Sequence, residues 1–194
     1  MTEWSSEYPV NLVVDAPTTQ SRLSILLRVI LTLPHAIVLA VLGPVTSLLV
    51  MIAWFAILIA GRFPTAILGF TLGIAQWRAR VNGYSRLLTS EFPPFSMKEK
   101  SNYPVRLAIR EKATGRNRLS TFFRLFLLVP HILIFAFLTF IYYFVLLGGW
   151  LAGLWLGRIP EGIHSWLSGF SNWSERYNAY AYLLVDKYPP FSFR

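Results

Sequence analysis

Along this chain the apolar and polar residues follow a programme that runs twice. Tyr8, Val10, Leu12 and Val14 share one face at period two, and Tyr103, Val105, Leu107 and Ile109 do the same later. Such alternation predicts a half-buried strand, which Pro9 and Pro104 confine to a strand start or an edge. Next come two stretches without a formal charge, Val29 to Gly61 and Leu125 to Gly157, each of 33 residues. One straight membrane pass needs about 20 residues. Extended back to Arg22 and Arg118, each stretch predicts a transmembrane helical hairpin, at about 22–61 and 118–157. Gly43-Pro44 marks the turn in the first copy, whereas Thr139-Phe140-Ile141 offers no breaker in the second. A shallow re-entrant hairpin is the alternative in both.

After each apolar stretch the period changes. Ile67, Phe70, Ile74, Trp77, Val81, Tyr84 and Leu88 are spaced alternately by three and four, as are Ile163, Trp166, Phe170, Trp173, Tyr177, Tyr180 and Leu184. That spacing predicts one stripe on a helix, over about 64–90 and again over about 160–186. Arg78, Arg80, Asn82 and Arg86 fall on the opposite face of the first, and Asn172, Glu175 and Arg176 on that of the second. Aromatic rings on one face and cations on the other are what a helix lying in the headgroup region requires. Pro-Pro-Phe-Ser closes each copy, at 93–96 and 189–192, and forces an extended tail.

The block Gly61–Ser96 returns as Gly157–Ser192 at an offset of 96. The chain therefore reads as two tandem repeats, 1–97 and 98–194. The expected fold class is an all-α membrane protein: two repeats, each a transmembrane hairpin plus an amphipathic interfacial helix, with short extended or β segments at the repeat ends.

Composition supports a membrane setting, with 55% of the 194 residues hydrophobic and 14% charged, against about 25% charged in globular proteins. The 18 Lys and Arg lie outside the apolar stretches or on their first turns. With an even number of passes per repeat, the positive-inside rule predicts two copies in one orientation, an axis along the membrane normal and both termini in the cytoplasm. Glu3, Glu7 and Asp15 precede Arg22, with no basic n-region, so the start is not read as a cleaved signal peptide. The linker Lys98–Arg118 carries seven basic and two acidic residues and would favour an anionic leaflet. The basic residues form no groove-reading face, so nucleic acid is not expected as a partner.

Candidate chemistry is sparse. No cysteine occurs, which excludes thiol catalysis and Cys-based zinc sites. Neither a phosphate loop, a nucleophile elbow nor paired catalytic carboxylates appear, so no enzyme and no cofactor are expected. Arg28 and His35, seven residues apart, share a helix face, as do Arg124 and His131, and this makes an intramembrane polar stripe. One reading brings His35 and His131 together on the axis, to hold a metal or haem iron. The plainer one is a histidine bonding backbone freed by Pro34 or Pro130. Arg62, Arg80, Arg158 and Arg176 recur between copies and suit lipid phosphate.

Taken in order, the motifs resemble a family. They are Tyr-Pro-Val, Arg-Leu-Ser followed by Pro-His, Gly-Arg-x-Pro, Trp-x-x-Arg-x-Asn-x-Tyr-x-x-Leu-Leu and Pro-Pro-Phe-Ser. They resemble those of a bacterial family of small membrane proteins catalogued as a domain of unknown function. The resemblance covers Tyr8–Ser96 and Tyr103–Ser192 and implies two membrane helices per copy and a bacterial cell membrane. It implies no activity. The expected role is an accessory or scaffold subunit of a membrane complex, or a lipid-interacting factor. Its partners would be anionic membrane lipids and other membrane proteins. The alternative is a small transporter or lipid-handling protein working through a cleft lined by Arg28, His35, Arg124 and His131. A third is membrane shaping by wedge-like hairpins that do not cross.

Overall fold

A computed structural model describes residues 8–16, 19–110 and 112–193, so the N-terminal Glu3 and Glu7 lie outside the described residues. In chain order the elements are β1 (Val10–Val14), α1 (Arg22–Ala60), α2 (Thr65–Ser85), β2 (Val105–Ile109), α3 (Arg118–Phe122), α4 (Arg124–Leu156) and α5 (Glu161–Ala181). The short α3 is capped by Asn117, whose side chain accepts from the Ser120 N–H at 2.9 Å.

The expected hairpins are not inside the apolar stretches. Each stretch is one continuous helix, and Pro34, Pro44 and Pro130 lie within it. The reason is phase. Ile25, Arg28, His35, Thr46, Ala53 and Ile57 are buried, and Thr32, Leu39, Leu42 and Val50 half-buried, on a single stripe with spacings of three and four. That stripe passes Gly43-Pro44 without a break, so both halves of α1 face the same partner. The chain reverses instead at Gly61–Pro64 and Gly157–Pro160. Gly61 and Gly157 take the left-handed conformation (φ 67° and 69°) that ends a helix, and Pro64 and Pro160 open the next. Each repeat is therefore a hairpin of one long and one shorter helix. Arg28 meets Tyr84 and His35 meets Trp77, so α2 runs antiparallel along α1. Tyr142 stacks on Phe170, and Gly149 faces Ile163, so α5 does the same along α4.

The two repeats are related by an axis perpendicular to the long helices, not parallel to them. The N-terminal end of α1 lies against the C-terminal end of α4: a Cβ on Gly153 would stand 2.8 Å from Ile25 Cδ1. At the other end the Trp54 indole donates to the Thr121 carbonyl at 2.9 Å. So α1 and α4 are antiparallel neighbours.

The strands are exchanged. β1 and β2 pair antiparallel, Leu12 opposite Leu107 and Val14 opposite Val105. Yet β1 packs on α5 of the other repeat, where the Leu12 N–H donates to Asn172 Oδ1 at 2.9 Å, while β2 packs on α2. The match extends to the tyrosines, since Tyr8 donates to the Lys187 carbonyl at 2.9 Å and Tyr103 to that of Glu91 at 2.8 Å. Burial holds both phenols well above the ordinary tyrosine value.

Three layers result: the strand pair, then α2 with α5, then α1 with α4. This overturns the reading of α2 and α5 as interfacial helices. Arg80, Gly83 and Tyr84, and the whole run Ser171–Arg176, are buried. The polar face meets its counterpart across the seam between repeats: Asn82 donates to Glu175 Oε1 at 3.3 Å, Arg86 to Ser171 Oγ at 3.0 Å, and Arg78 lies over the Tyr182 ring.

The seam of β2 on α2 has no spare room at Gly83, where a Cβ would stand 2.8 Å from both Val105 methyls. Gly83→Val is expected to cost about 2 kcal/mol through overpacking, despite the better helix former. Adding Val105→Ala should recover at least half of the lost thermal midpoint in detergent. An undiminished Gly83→Val midpoint would show the strand is not seated there.

Candidate functional site

The residues with the strongest sequence signal sit where the long helices meet the ends of α2 and α5. Arg28 is buried. It donates to the Tyr84 carbonyl at 2.7 Å and to Gln20 Oε1 at 2.8 Å, with its guanidinium 4.4 Å from the Tyr84 ring centre. Arg124 is its counterpart. It donates to the carbonyls of Tyr180 (2.7 Å) and Val185 (3.0 Å) and to Asp186 Oδ1 (3.1 Å), 4.2 Å from the Tyr180 ring centre. Helix C-termini carry unsatisfied carbonyls and partial negative charge, which a guanidinium neutralises.

The turn beyond is strained in both copies. Leu87 and Leu183 have φ of 64° and 62°, unusual for a branched residue, and their side chains are fully buried. Gln20 holds the Leu87 carbonyl at 2.9 Å, and Arg116, at the matching position of the other repeat, holds that of Leu183. Arg116 also pairs with Asp186 at 3.0 Å, and burial lowers its pKa, opposed by that carboxylate. Sequence reasoning missed Gln20, Arg116 and Asp186. The only signal was positional, since residues 20 and 116 lie 96 apart like the rest of the repeat.

His35 and His131 do not meet. Each is closed in an aromatic box built by its own repeat. The His35 ring stacks on Phe95 with centres 3.7 Å apart and planes 15° apart. Phe92 and Trp77 stand at 5.0 Å and 5.9 Å. The Trp77 indole donates to His35 Nδ1 at 3.2 Å, which requires that nitrogen to be unprotonated. The His131 ring stacks on Phe191 at 4.0 Å with Tyr188 at 5.0 Å, and its Nε2 donates to the Pro189 carbonyl at 3.1 Å. The Pro-His motif and the Pro-Pro-Phe-Ser tail are thus two halves of one lock. Among the described residues no three His, Cys, Asp or Glu side chains gather as metal ligands.

The four residues of the expected polar stripe therefore do not line a common cleft. Arg28 and His35 face α2, and Arg124 and His131 face α5. The recurrent arginines divide. Arg80 and Arg176 are buried rather than turned to headgroups: Arg80 donates to the Ser96 carbonyl, and Arg176 Nε to that of Val10 at 3.2 Å. Burial lowers the pKa of both. Arg62 and Arg158 are exposed, just beyond the ends of α1 and α4.

The remaining polar singularity is His164 on α5, buried against the Leu88 carbonyl at 3.5 Å. Burial lowers its pKa, partly offset by that carbonyl.

What is left to face outward is apolar. Most of the circumference of α1 and α4 is exposed, including Ile30, Val41, Ile59, Leu125, Phe137, Leu151 and Trp155, the last at 83%. Both helices are long and apolar enough to cross a membrane.

The family model described as "Domain of unknown function (DUF4389)" matches the chain twice, over residues 22–97 and 118–192, so the chain belongs to that family as a tandem member. No curated protein and no solved structure matches it.

Two outcomes follow for stability. Arg124→Met strands the Tyr180 and Val185 carbonyls and is expected to cost about 3 kcal/mol, whereas Asp186→Asn, at a partly exposed carboxylate, should cost about 1 kcal/mol. Equal losses in chemical denaturation would contradict the capping role. For His164 the folded pKa lies below its unfolded value, so the unfolded chain binds the extra proton. Stability is full above the unfolded value of about 6.5 and falls as pH drops below it. The thermal midpoint should decline between pH 7 and pH 5, and less steeply in His164→Gln.

Proposed function

We propose that this DUF4389 member is a non-enzymatic membrane-bound unit whose working surface is the outer face of α1 and α4. The chemistry of that face is lipid-facing, and its role is that of a lipid-interacting or scaffold component. One observation carries the reading. The buried polar groups with recognisable sequence signals are engaged in holding the protein together, while the apolar side chains of the two longest helices are left bare. A soluble protein seldom exposes contiguous apolar area of that extent. Ordinary core helices of such length are covered by neighbours, and these are not.

A lipid-handling element is compatible with the same surface. An apolar groove of about 350 Å³, lined by Val50, Met51, Trp54, Phe55, Leu125 and Leu183, opens between α1 and the start of α4. Its lining suits a segment of acyl chain. A transport path lined by Arg28, His35, Arg124 and His131 has less support, because each pair is closed within its own repeat.

The test is fractionation of the full chain expressed in bacterial cells. The protein is expected in the membrane pellet, retained after alkaline carbonate washing and released by mild detergent with phospholipid bound. Recovery as a monodisperse species from the detergent-free aqueous fraction would overturn the proposal. A protein that copurifies at fixed stoichiometry through detergent would favour the scaffold role within it.

A further inference from the structure

The apolar faces of α1 and α4 are too long to cross a bilayer in the ordinary way. Exposed apolar residues run from Leu23 to Ile59 on α1 and from Leu125 to Leu156 on α4. At about 1.5 Å per residue these are roughly 54 Å and 46 Å of helix, against a hydrocarbon core of about 30 Å. To fit by leaning alone they would tilt by about 56° and 50°, beyond the range of about 0–40° that crossing helices adopt.

The layers make the same point. α2 and α5 lie lengthwise on α1 and α4, and the strand pair lies on α2 and α5. If the long helices crossed, the strands would stand at bilayer mid-depth. With them would go the partly exposed ion pair of Arg106 with Asp15, at 2.7 Å, in a region where open backbone and charge are not tolerated. If the long helices lie flat, the same strands sit on the aqueous side with Lys98, Lys100, Arg110 and Lys112, all exposed.

The cations complete the argument. At one end of the apolar face Arg22 donates to the Trp155 carbonyl at 3.1 Å, and Thr19 bridges to the backbone of Arg158. At the other end the Arg118 guanidinium lies 3.4 Å from where a Cβ would stand on Gly61, beside Arg62. All four arginines are exposed. A crossing pair would place two on each side of the membrane, against the charge bias of inserted helices.

We infer that the protein is monotopic: α1 and α4 lie side by side in the plane of one leaflet, and the pairs Arg22 with Arg158 and Arg62 with Arg118 hold the phosphates of anionic phospholipids at the two ends of the apolar face. This rests on the lipid-facing reading above. The long helices are buried at one depth throughout, and α2, α5 and the strands ride on them toward the water.

The cysteine-free chain allows the test directly. Ile30→Cys, Val41→Cys and Ile52→Cys, on one face of α1 at intervals of three helical turns, carry a nitroxide in the full-length protein reconstituted in phosphatidylcholine–phosphatidylglycerol vesicles. The expected result is one common depth for all three labels by oxygen and nickel relaxation. A crossing helix instead puts Val41 deeper than both others by about 10 Å, which would overturn the in-plane arrangement while leaving membrane binding intact. Labels that stay in water in vesicles would remove the lipid-facing reading itself. Labels buried equally in a detergent-free dimer would assign the face to a second copy. The headgroup contact is read with spin-labelled lipids. Selectivity for phosphatidylglycerol over phosphatidylcholine should fall about fivefold for each of the four arginines changed to glutamine. Unchanged selectivity in the quadruple variant would overturn the arginine assignment.

Discussion

The guanidiniums of Arg28 and Arg124 are the fixed points of this structure. Each is carried on a long apolar helix and delivered to the carbonyl end of the shorter helix that follows. Without them, α2 and α5 would end in buried, unsatisfied carbonyls beside a leucine forced into the left-handed region. Because the arginine belongs to the first helix of a repeat and the carbonyls to the second, one contact sets the length over which the two helices run together. Gln20 in one copy and Arg116 with Asp186 in the other finish the same cap by different chemistry. The duplicated backbone is thus held by unequal side chains, neutral in the first repeat and ionic in the second.

A consequence of this arrangement is that polarity is concentrated inward. Arg80, Arg176, Asn82, Asn172 and Glu175 sit in the middle layer, bonded to strands, tails or each other. Here the middle layer is shielded on one side by the strands and on the other by two helices whose outer surface is apolar and bare. The aromatic boxes around His35 and His131 act along the flanks, tying each Pro-Pro-Phe-Ser tail across its own helix pair so that the polar layer is not open at its edges.

Much of this was legible beforehand, and what was not has identifiable causes. The duplication, the strands, and the stripe on α2 and α5 were all present in spacing and residue type. An internal hairpin is what a 33-residue apolar stretch, too long for one pass, suggests, and Gly43-Pro44 is a strong local breaker inside the first of them. Ile25, Arg28, His35, Leu42, Thr46, Ala53 and Ile57 keep one phase across that dipeptide, and a true reversal would have reset it. The interfacial assignment of α2 failed for a different reason. Arg and Asn opposite a hydrophobic stripe satisfy two environments equally, water or a polar seam against another helix, and a single helix cannot distinguish them. The histidine boxes were unreadable as such because their halves, Pro-His and Pro-Pro-Phe-Ser, lie about sixty residues apart.

The exchange of the strands bears on how the chain assembles. α2 receives β2, which is made shortly after it. α5 receives β1, which left the ribosome some 160 residues earlier. For the first half of synthesis β1 has neither its helix nor its partner strand, while α1 and α2 are already made. The first strand therefore has no helix to pack on until α5 is made. The exchanged strands thus tie the completion of each copy to residues supplied by the other.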